Sequence, residues 1–255
     1  MRTIGELTLK EYLLRNNIFI IGEYFRNDKI KTDEDIIKQI KLINRLNNLL
    51  SGYKETGVTR INGSIGKRIE TIKVELKRLE SDFKKRSKTK PLNKMDTFIL
   101  ENGDNILKQV EENLNILKSI NYLGLIKRSM KRGEICIGKG DESNIRSFNS
   151  IEIGKIKNIS YNLYEEDIYE YLKRVRKKHK DFKEDYYINE FIKEANLGED
   201  SRQYIKILLG IPYDSLRQWH RYMEGKRDIS SDTYFKNINE SLKYESNIKK
   251  ELLNE

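Results

Sequence analysis

Apolar residues recur at helical spacing over most of the chain, and they predict a mainly α-helical protein. The first clear helix follows Thr32, which together with Asp35 has the pattern of a capping box. Gly52 is well suited to end it. Its predicted buried stripe consists of Ile36, Ile40, Ile43, Leu46 and Leu50.

A longer helix is predicted next, with a basic outer face and apolar positions close to heptad spacing. These positions are Ile65, Ile69, Ile72, Leu76, Leu79 and Phe83. Pro91 ends the pattern, and Gly103 is expected to kink the helix that follows. Further helices are predicted at about 94–122, 165–178, 185–195, 201–209 and 214–224, and from residue 230 or 231 toward residue 250.

Three short runs depart from this helical pattern and predict β-structure. Residues 18–25 (IFIIGEYF) are apolar and β-prone, and the runs 134–138 and 151–156 flank a polar, turn-rich loop. A strand–loop–strand inside a helical protein is a common place to display functional side chains. We therefore predict a mainly α protein with a small β element, centred on residues 133–160.

The chain is basic, with 50 lysines and arginines, 40 aspartates and glutamates, and a net charge of +10. Between Lys67 and Lys94 there are eleven basic residues against four acidic ones. This face could dock nucleic acid or an anionic surface. A biased composition explains the charge equally simply, since the chain has a single alanine, Ala195, and no nucleic-acid-binding motif. We favour the second explanation.

Few residues offer catalytic or metal-binding chemistry, and no cofactor is predicted. The single cysteine, Cys136, rules out an internal disulfide and lies on an apolar run that favours a packing role. His179 and His220 are too far apart in sequence to suggest a zinc site. The apolar run 18–21 is too short to span a membrane, and no secretory leader is evident, which predicts synthesis in the cytoplasm.

The segment ICIGKGDESNI, at residues 135–145, resembles the I-C-H-G-D-x-x-x-x-N-I loop of the spore-coat kinase-like (CotS-type) family. That family is itself similar to aminoglycoside and choline phosphotransferases. Segments at 157–179 and 210–230 resemble later parts of the family pattern in the same order. The resemblance implies the C-terminal lobe of a kinase-like fold, with residues 1–30 holding a hinge-like strand and residues 31–255 forming the helical lobe. With only seventeen residues before that strand, it implies no N-terminal lobe.

The departures from the family pattern imply a protein without phosphotransferase activity. In an ungapped match, Ile137 stands for the family's histidine and Lys139 for its catalytic aspartate. Asn158 and Ser160 stand for the two aspartates of the metal-binding motif, and only Asn144 keeps a metal-ligand residue type. A lysine cannot accept the proton of an attacking hydroxyl, and neutral oxygens hold Mg²⁺ poorly.

The resulting prediction is a pseudokinase-like structural or scaffolding protein of the bacterial spore coat, without a small-molecule substrate. Its expected partners are other coat proteins or a second copy of the chain, bound through an apolar strand. That strand is expected to present Ile18, Ile20, Ile21 and Phe25. Two alternatives stay open: a small-molecule phosphotransferase that uses Asp141 or Glu142, and, less favoured, a nucleic-acid-binding protein that uses the basic face.

Overall fold

The computed structural model describes residues 8–26, 32–54, 60–179, 181–225 and 229–245. The chain divides into two compact units, each assembled from two separate pieces of sequence. The first unit comprises Met1–Gly66 and Asn121–Ile205, and the second comprises Lys67–Ile120 and Lys206–Glu255. The predicted continuation of the last helix toward residue 250 lies outside the described residues.

Helices make up most of the described chain, as the sequence predicts. They are α1 (Leu9–Arg15), α2 (Asp33–Leu50), α3 (Lys67–Arg86), α4 (Lys94–Ser119), α5 (Tyr122–Arg132), α6 (Tyr164–Lys178), α7 (Glu184–Ala195), α8 (Glu199–Gly210), α9 (Tyr213–Glu224) and α10 (Ser231–Glu245). None of the described helices is both long enough and apolar enough to cross a membrane.

The first unit contains two small sheets where the sequence predicted one small β element. The strands are β1 (Ile18–Ile20), β2 (Asn62–Gly63), β3 (Ile135–Cys136), β4 (Ile145–Ser147), β5 (Ile151–Ile153) and β6 (Ser160–Tyr161). One sheet has the order β1-β5-β4, with β1 parallel and β4 antiparallel to β5. The other has the order β2-β6-β3, with β2 parallel and β3 antiparallel to β6. β1, β3 and β5 lie within the three predicted runs, whereas β2, β4 and β6, each of two or three residues, carry too little periodicity and were missed.

The core of the first unit lies between these sheets and α2. The predicted stripe of α2 is fully buried, and Leu46 and Leu50 pack with residues of both sheets. The strand residues in this core include Ile18, Ile135, Ile145, Ile151 and Ile153. Helices α6 and α7 also pack against α2. The core therefore fixes the ends of the strands from which the central loop projects.

In the second unit, α3 packs against α4 and α9, and α10 packs against α4 and α9. Helix α4 is continuous through Gly103. A Cβ at Gly103 would lie 2.9 Å from the Phe83 ring and 2.9 Å from the Trp219 ring. Trp219 is fully buried, and its indole N–H donates to Asp82 at 2.8 Å. The glycine therefore provides room for two aromatic rings.

Candidate functional site

The central loop, residues 137–144, leaves β3 and enters β4, and a buried carboxylate on α6 fixes its first turn. Asp167 accepts hydrogen bonds from the backbone N–H groups of Ile137 and Gly138, both at 2.7 Å. Burial raises the pKa of Asp167 to about 6, while the two backbone hydrogen bonds act to lower it. Gly138 has a positive φ of 72°, a conformation that glycine adopts without strain.

Helix α2 holds the middle of the central loop. The buried amide of Gln39 donates to the carbonyl of Gly140 at 2.6 Å and to that of Ile145 at 3.3 Å. Gly140 packs directly on Ile43, since an added Cβ would lie 2.9 Å from that side chain. The loop backbone is thus attached to the core at both its first turn and its middle.

Asn144 joins the central loop to the segment that follows β5. Its amide nitrogen donates to the carbonyls of Lys139 at 3.0 Å and Lys155 at 3.1 Å. Its carbonyl oxygen accepts from the backbone N–H of Lys155 at 2.8 Å. The side chain is buried, and these three bonds use both its donor and its acceptor groups. Asn144 therefore brings the backbones of two lysines together.

Three ammonium groups surround the ring of Tyr24 at this point. The Nζ atoms of Lys139, Lys155 and Lys157 lie 3.6, 5.0 and 5.9 Å from the ring centroid. The negative face of an aromatic ring attracts such cations. We call these four residues the lysine cluster. It makes this part of the first unit positively charged.

The two carboxylates of the central loop, on Asp141 and Glu142, are bound elsewhere. Asp141 accepts from the backbone N–H of Ser143 at 2.9 Å and from its hydroxyl, and it forms an ion pair with Arg174. Glu142 accepts from the hydroxyl of Tyr171 at 3.0 Å. Burial and the adjacent Glu142 raise the pKa of that tyrosine. Within the described ranges, no group of three histidine, cysteine, aspartate or glutamate side chains could hold a metal ion.

The structure brings together two of the five loop residues singled out in the sequence, Lys139 and Asn144. Ile137 is fully buried in the core. Ser160 lies in β6, opposite Cys136 of β3. The side chain of Asn158 is exposed, and its backbone carbonyl lies against Gly138.

The sequence analysis missed Tyr24, Lys155 and Lys157. The decisive feature is the parallel pairing of β1 with β5, because the carboxyl ends of parallel strands meet at the same edge of a sheet. Tyr24 follows β1, and the lysine pair K-x-K follows β5. That K-x-K pattern directly after an apolar strand was the available signal in the sequence.

The predicted apolar partner surface on β1 needs one correction. Ile18 is 1% exposed and belongs to the core, because alternate residues of a strand face opposite sides of its sheet. Ile20 faces the same core and is partly buried. Phe25 is partly buried, and the guanidinium of Arg146 lies 4.0 Å from its ring centroid. Ile21 is 43% exposed and remains available to a partner.

Comparison with known proteins gives a fold relationship. No family model matches the chain, and no curated protein does. Among solved structures, it is similar to an aminoglycoside phosphotransferase from Alicyclobacillus acidocaldarius, with a TM-score of 0.67 and 11% sequence identity. The match covers 93% of this chain and 71% of that one. The fold is kinase-like. At this identity the similarity concerns the fold alone.

Replacing Asn144 by alanine is expected to lower the free energy of unfolding by about 2 kcal/mol, because three partly buried backbone groups lose a hydrogen-bond partner. Asn158→Ala is the matched control, since the same residue type is exposed there, and its effect should stay within about 0.5 kcal/mol. Urea unfolding followed by circular dichroism measures both variants. Equal effects would show that Asn144 does not hold the loop.

Proposed function

We propose that this chain is a pseudokinase-like protein, a non-catalytic form of the kinase-like fold that serves as a structural or scaffolding component of the bacterial spore coat. The observation that supports loss of catalysis is the placement of Lys139. Its ammonium group lies against Tyr24, at the loop position where the family resemblance places the catalytic base. Assignment to the spore coat rests on the sequence resemblance of residues 135–145 and the segments that follow it.

The chemistry of phosphoryl transfer explains why this arrangement disfavours catalysis. The reaction needs bound Mg²⁺ and a carboxylate that orients or deprotonates the nucleophile. Lys139 and Lys155 instead place two cations against the ring of Tyr24, and positive charge there disfavours a divalent metal ion. The amide of Asn144 is fully engaged with backbone groups. A role for Asn144 as a metal ligand would require these hydrogen bonds to break.

The alternative is a small-molecule phosphotransferase of the same fold. It is favoured by the similar solved structure, which is described as an aminoglycoside phosphotransferase. Asp141 or Glu142 would then supply the catalytic carboxylate. Asp141 is bound to Arg174, and Glu142 is bound to Tyr171, so each would first have to leave its partner. The nucleic-acid-binding alternative has only the basic face of α3 in its favour.

We expect no Mg²⁺-dependent ATP binding and no ATP turnover by the purified protein. Calorimetric titration with ATP, with and without Mg²⁺, measures the first, and coupled detection of ADP with aminoglycoside or choline acceptors measures the second. ADP formation that is lost in Asp141→Asn or Glu142→Gln would overturn the proposal in favour of the phosphotransferase. Catalysis unaffected by both variants would also contradict it and would locate the active carboxylate elsewhere.

For partner binding, we propose that a second copy adds to the free edge of β1. Among the described strands, β1 pairs only with β5, and the exposed Ile21 adjoins it. Light scattering at tens of micromolar protein should detect a dimer, and Ile21→Asp should weaken dimerisation at least tenfold. Val74→Asp is the control, since this residue is similarly exposed, at 49%, on α3. A monomer at these concentrations, or equal loss in both variants, would contradict this arrangement.

A further inference from the structure

The lysine cluster concentrates positive charge. In the part of the chain that the structure describes, none of Lys139, Lys155 and Lys157 forms an ion pair, and two carboxylates of the neighbouring loop and strand are bound to arginines instead. Asp141 pairs with Arg174, and Glu152 pairs with Arg146. We propose that the cluster is a binding site for a small phosphate-bearing anion, and that it binds this anion without a divalent metal ion.

The geometry suits one small ligand with several negative oxygens. All three Nζ atoms lie within 5.9 Å of a single ring centroid, and the proposal requires one anion to contact more than one of them. Each ammonium group offers three hydrogen-bond donors. Diphosphate has oxygens at both ends and enough charge for all three lysines, whereas a simple carboxylate has a single charge.

The site is built into the fold at the backbone of each contributing segment. Asn144 fixes the backbones of Lys139 and Lys155. The segment that carries Tyr24 is attached on both sides, since Gly22 N–H donates to the Gly154 carbonyl at 2.8 Å and Phe25 N–H donates to the Ser143 carbonyl at 2.7 Å. Gly154 itself lies so close to the Glu23 carbonyl that a Cβ would be 2.4 Å away. These attachments reduce the conformational entropy lost when a ligand binds.

Electrostatic interactions favour the binding of a polyvalent anion that carries no bound metal ion. Three like charges around one ring repel one another, and a bound polyanion converts this repulsion into charge-assisted hydrogen bonds. In many proteins a divalent cation neutralises the charge of bound phosphate oxygens. In the lysine cluster the three ammonium groups would neutralise that charge instead. Added Mg²⁺ should therefore compete with the protein for diphosphate and weaken its binding.

Isothermal titration calorimetry with inorganic diphosphate in the presence of EDTA tests the proposal. A titration with chloride at the same ionic strength is the reference. We expect saturable binding in which Lys139→Gln and Lys155→Gln each lower the affinity at least tenfold. The matched control is the triple variant Lys77→Gln/Lys84→Gln/Lys88→Gln, which removes three exposed positive charges from the helix α3 region and should leave the affinity within twofold. Tyr24→Phe keeps the aromatic face and should bind normally, whereas Tyr24→Leu should bind at least threefold more weakly.

Each outcome distinguishes specific binding at the lysine cluster from a general attraction between a basic protein and an anion. Absence of saturable binding up to millimolar diphosphate, or equal weakening by the control triple variant, would overturn the proposal and leave the non-catalytic function untouched. Binding that requires Mg²⁺ would overturn both. Inorganic phosphate and ATP, titrated in EDTA, then define how many phosphoryl groups the cluster accepts. Thermal unfolding of every variant confirms that a lost affinity is not a lost fold.

Discussion

Replacing Arg128 by methionine should lower the free energy of unfolding by about 4 kcal/mol, because two buried carboxylates lose the arginine that hydrogen-bonds to both of them. The guanidinium of Arg128 binds Glu134 at 2.9 and 3.0 Å and Glu165 at 2.9 and 2.8 Å. It also donates to the hydroxyl of Ser201 at 2.9 Å. Both glutamate side chains are 0% exposed. This arginine thus connects α5, the residue that precedes β3, α6 and α8 within the first unit.

The pKa of Arg128 reflects the opposing effects of burial and of the two glutamates. Burial alone would lower it, but the hydrogen bonds and negative charges of Glu165 and Glu134 outweigh burial and raise it. The arginine therefore stays charged in the folded protein, and methionine, which matches its aliphatic stem, removes only the interactions of its head group.

Arg132→Met provides the matched control for this prediction. Arg132 lies one turn further along α5, is 51% exposed, and approaches Glu134 only to 3.8 Å. Its replacement should change the free energy of unfolding by about 0.5 kcal/mol or less. Denaturant unfolding of both variants at pH 7 makes the comparison. A loss at Arg128 no larger than that at Arg132 would refute the central role of this ion-pair network.

Relative to an Asp167→Asn variant, the natural protein should lose about 3 kcal/mol of stability between about pH 4 and pH 7. Burial raises the pKa of Asp167 from 3.8 to about 6, so within this window the folded state binds more protons than the unfolded state. A group with a raised pKa contributes stability that is present below its unfolded pKa and lost as pH rises through the folded value. Asparagine does not titrate and supplies the reference.

The difference between the two unfolding free energies, measured at several pH values, isolates this carboxyl group because the other titrations occur in both proteins. The difference should decline steadily from pH 4 and level off above pH 7. A difference that instead grows with pH would show that the two backbone hydrogen bonds from Ile137 and Gly138 outweigh burial.

Local periodicity was enough to predict most of the helices. The stripe from Ile36 to Leu50 is fully buried as predicted, and α6 begins one residue before the predicted Glu165. Amphipathic spacing is a local property, so it can be recognised without knowing the partner element. The short helix α1 and the separate helix α5 were missed. Thr8 and Glu11 form a capping box that could have indicated the start of α1.

The candidate site could be predicted only in part, because it depends on contacts between distant segments. Lys139 and Asn144 were found through a local sequence resemblance. Their association with Tyr24 requires β1 to pair with β5, and nothing local in either strand specifies that register. Gly103 shows the same limit, since its role is set by Phe83 and Trp219, which lie on other helices.

The two units interleave along the chain, and this constrains the order in which they can fold during synthesis. The first unit needs Asn121–Ile205 to accompany its opening piece, so the ribosome has already produced Lys67–Ile120 before that unit is complete. The second unit must wait for the residues after Lys206. A nascent chain that stops near residue 120 contains half of each unit and the core of neither. A chaperone that binds the nascent chain at this stage would encounter β1 before its partner strand β5 has been synthesised.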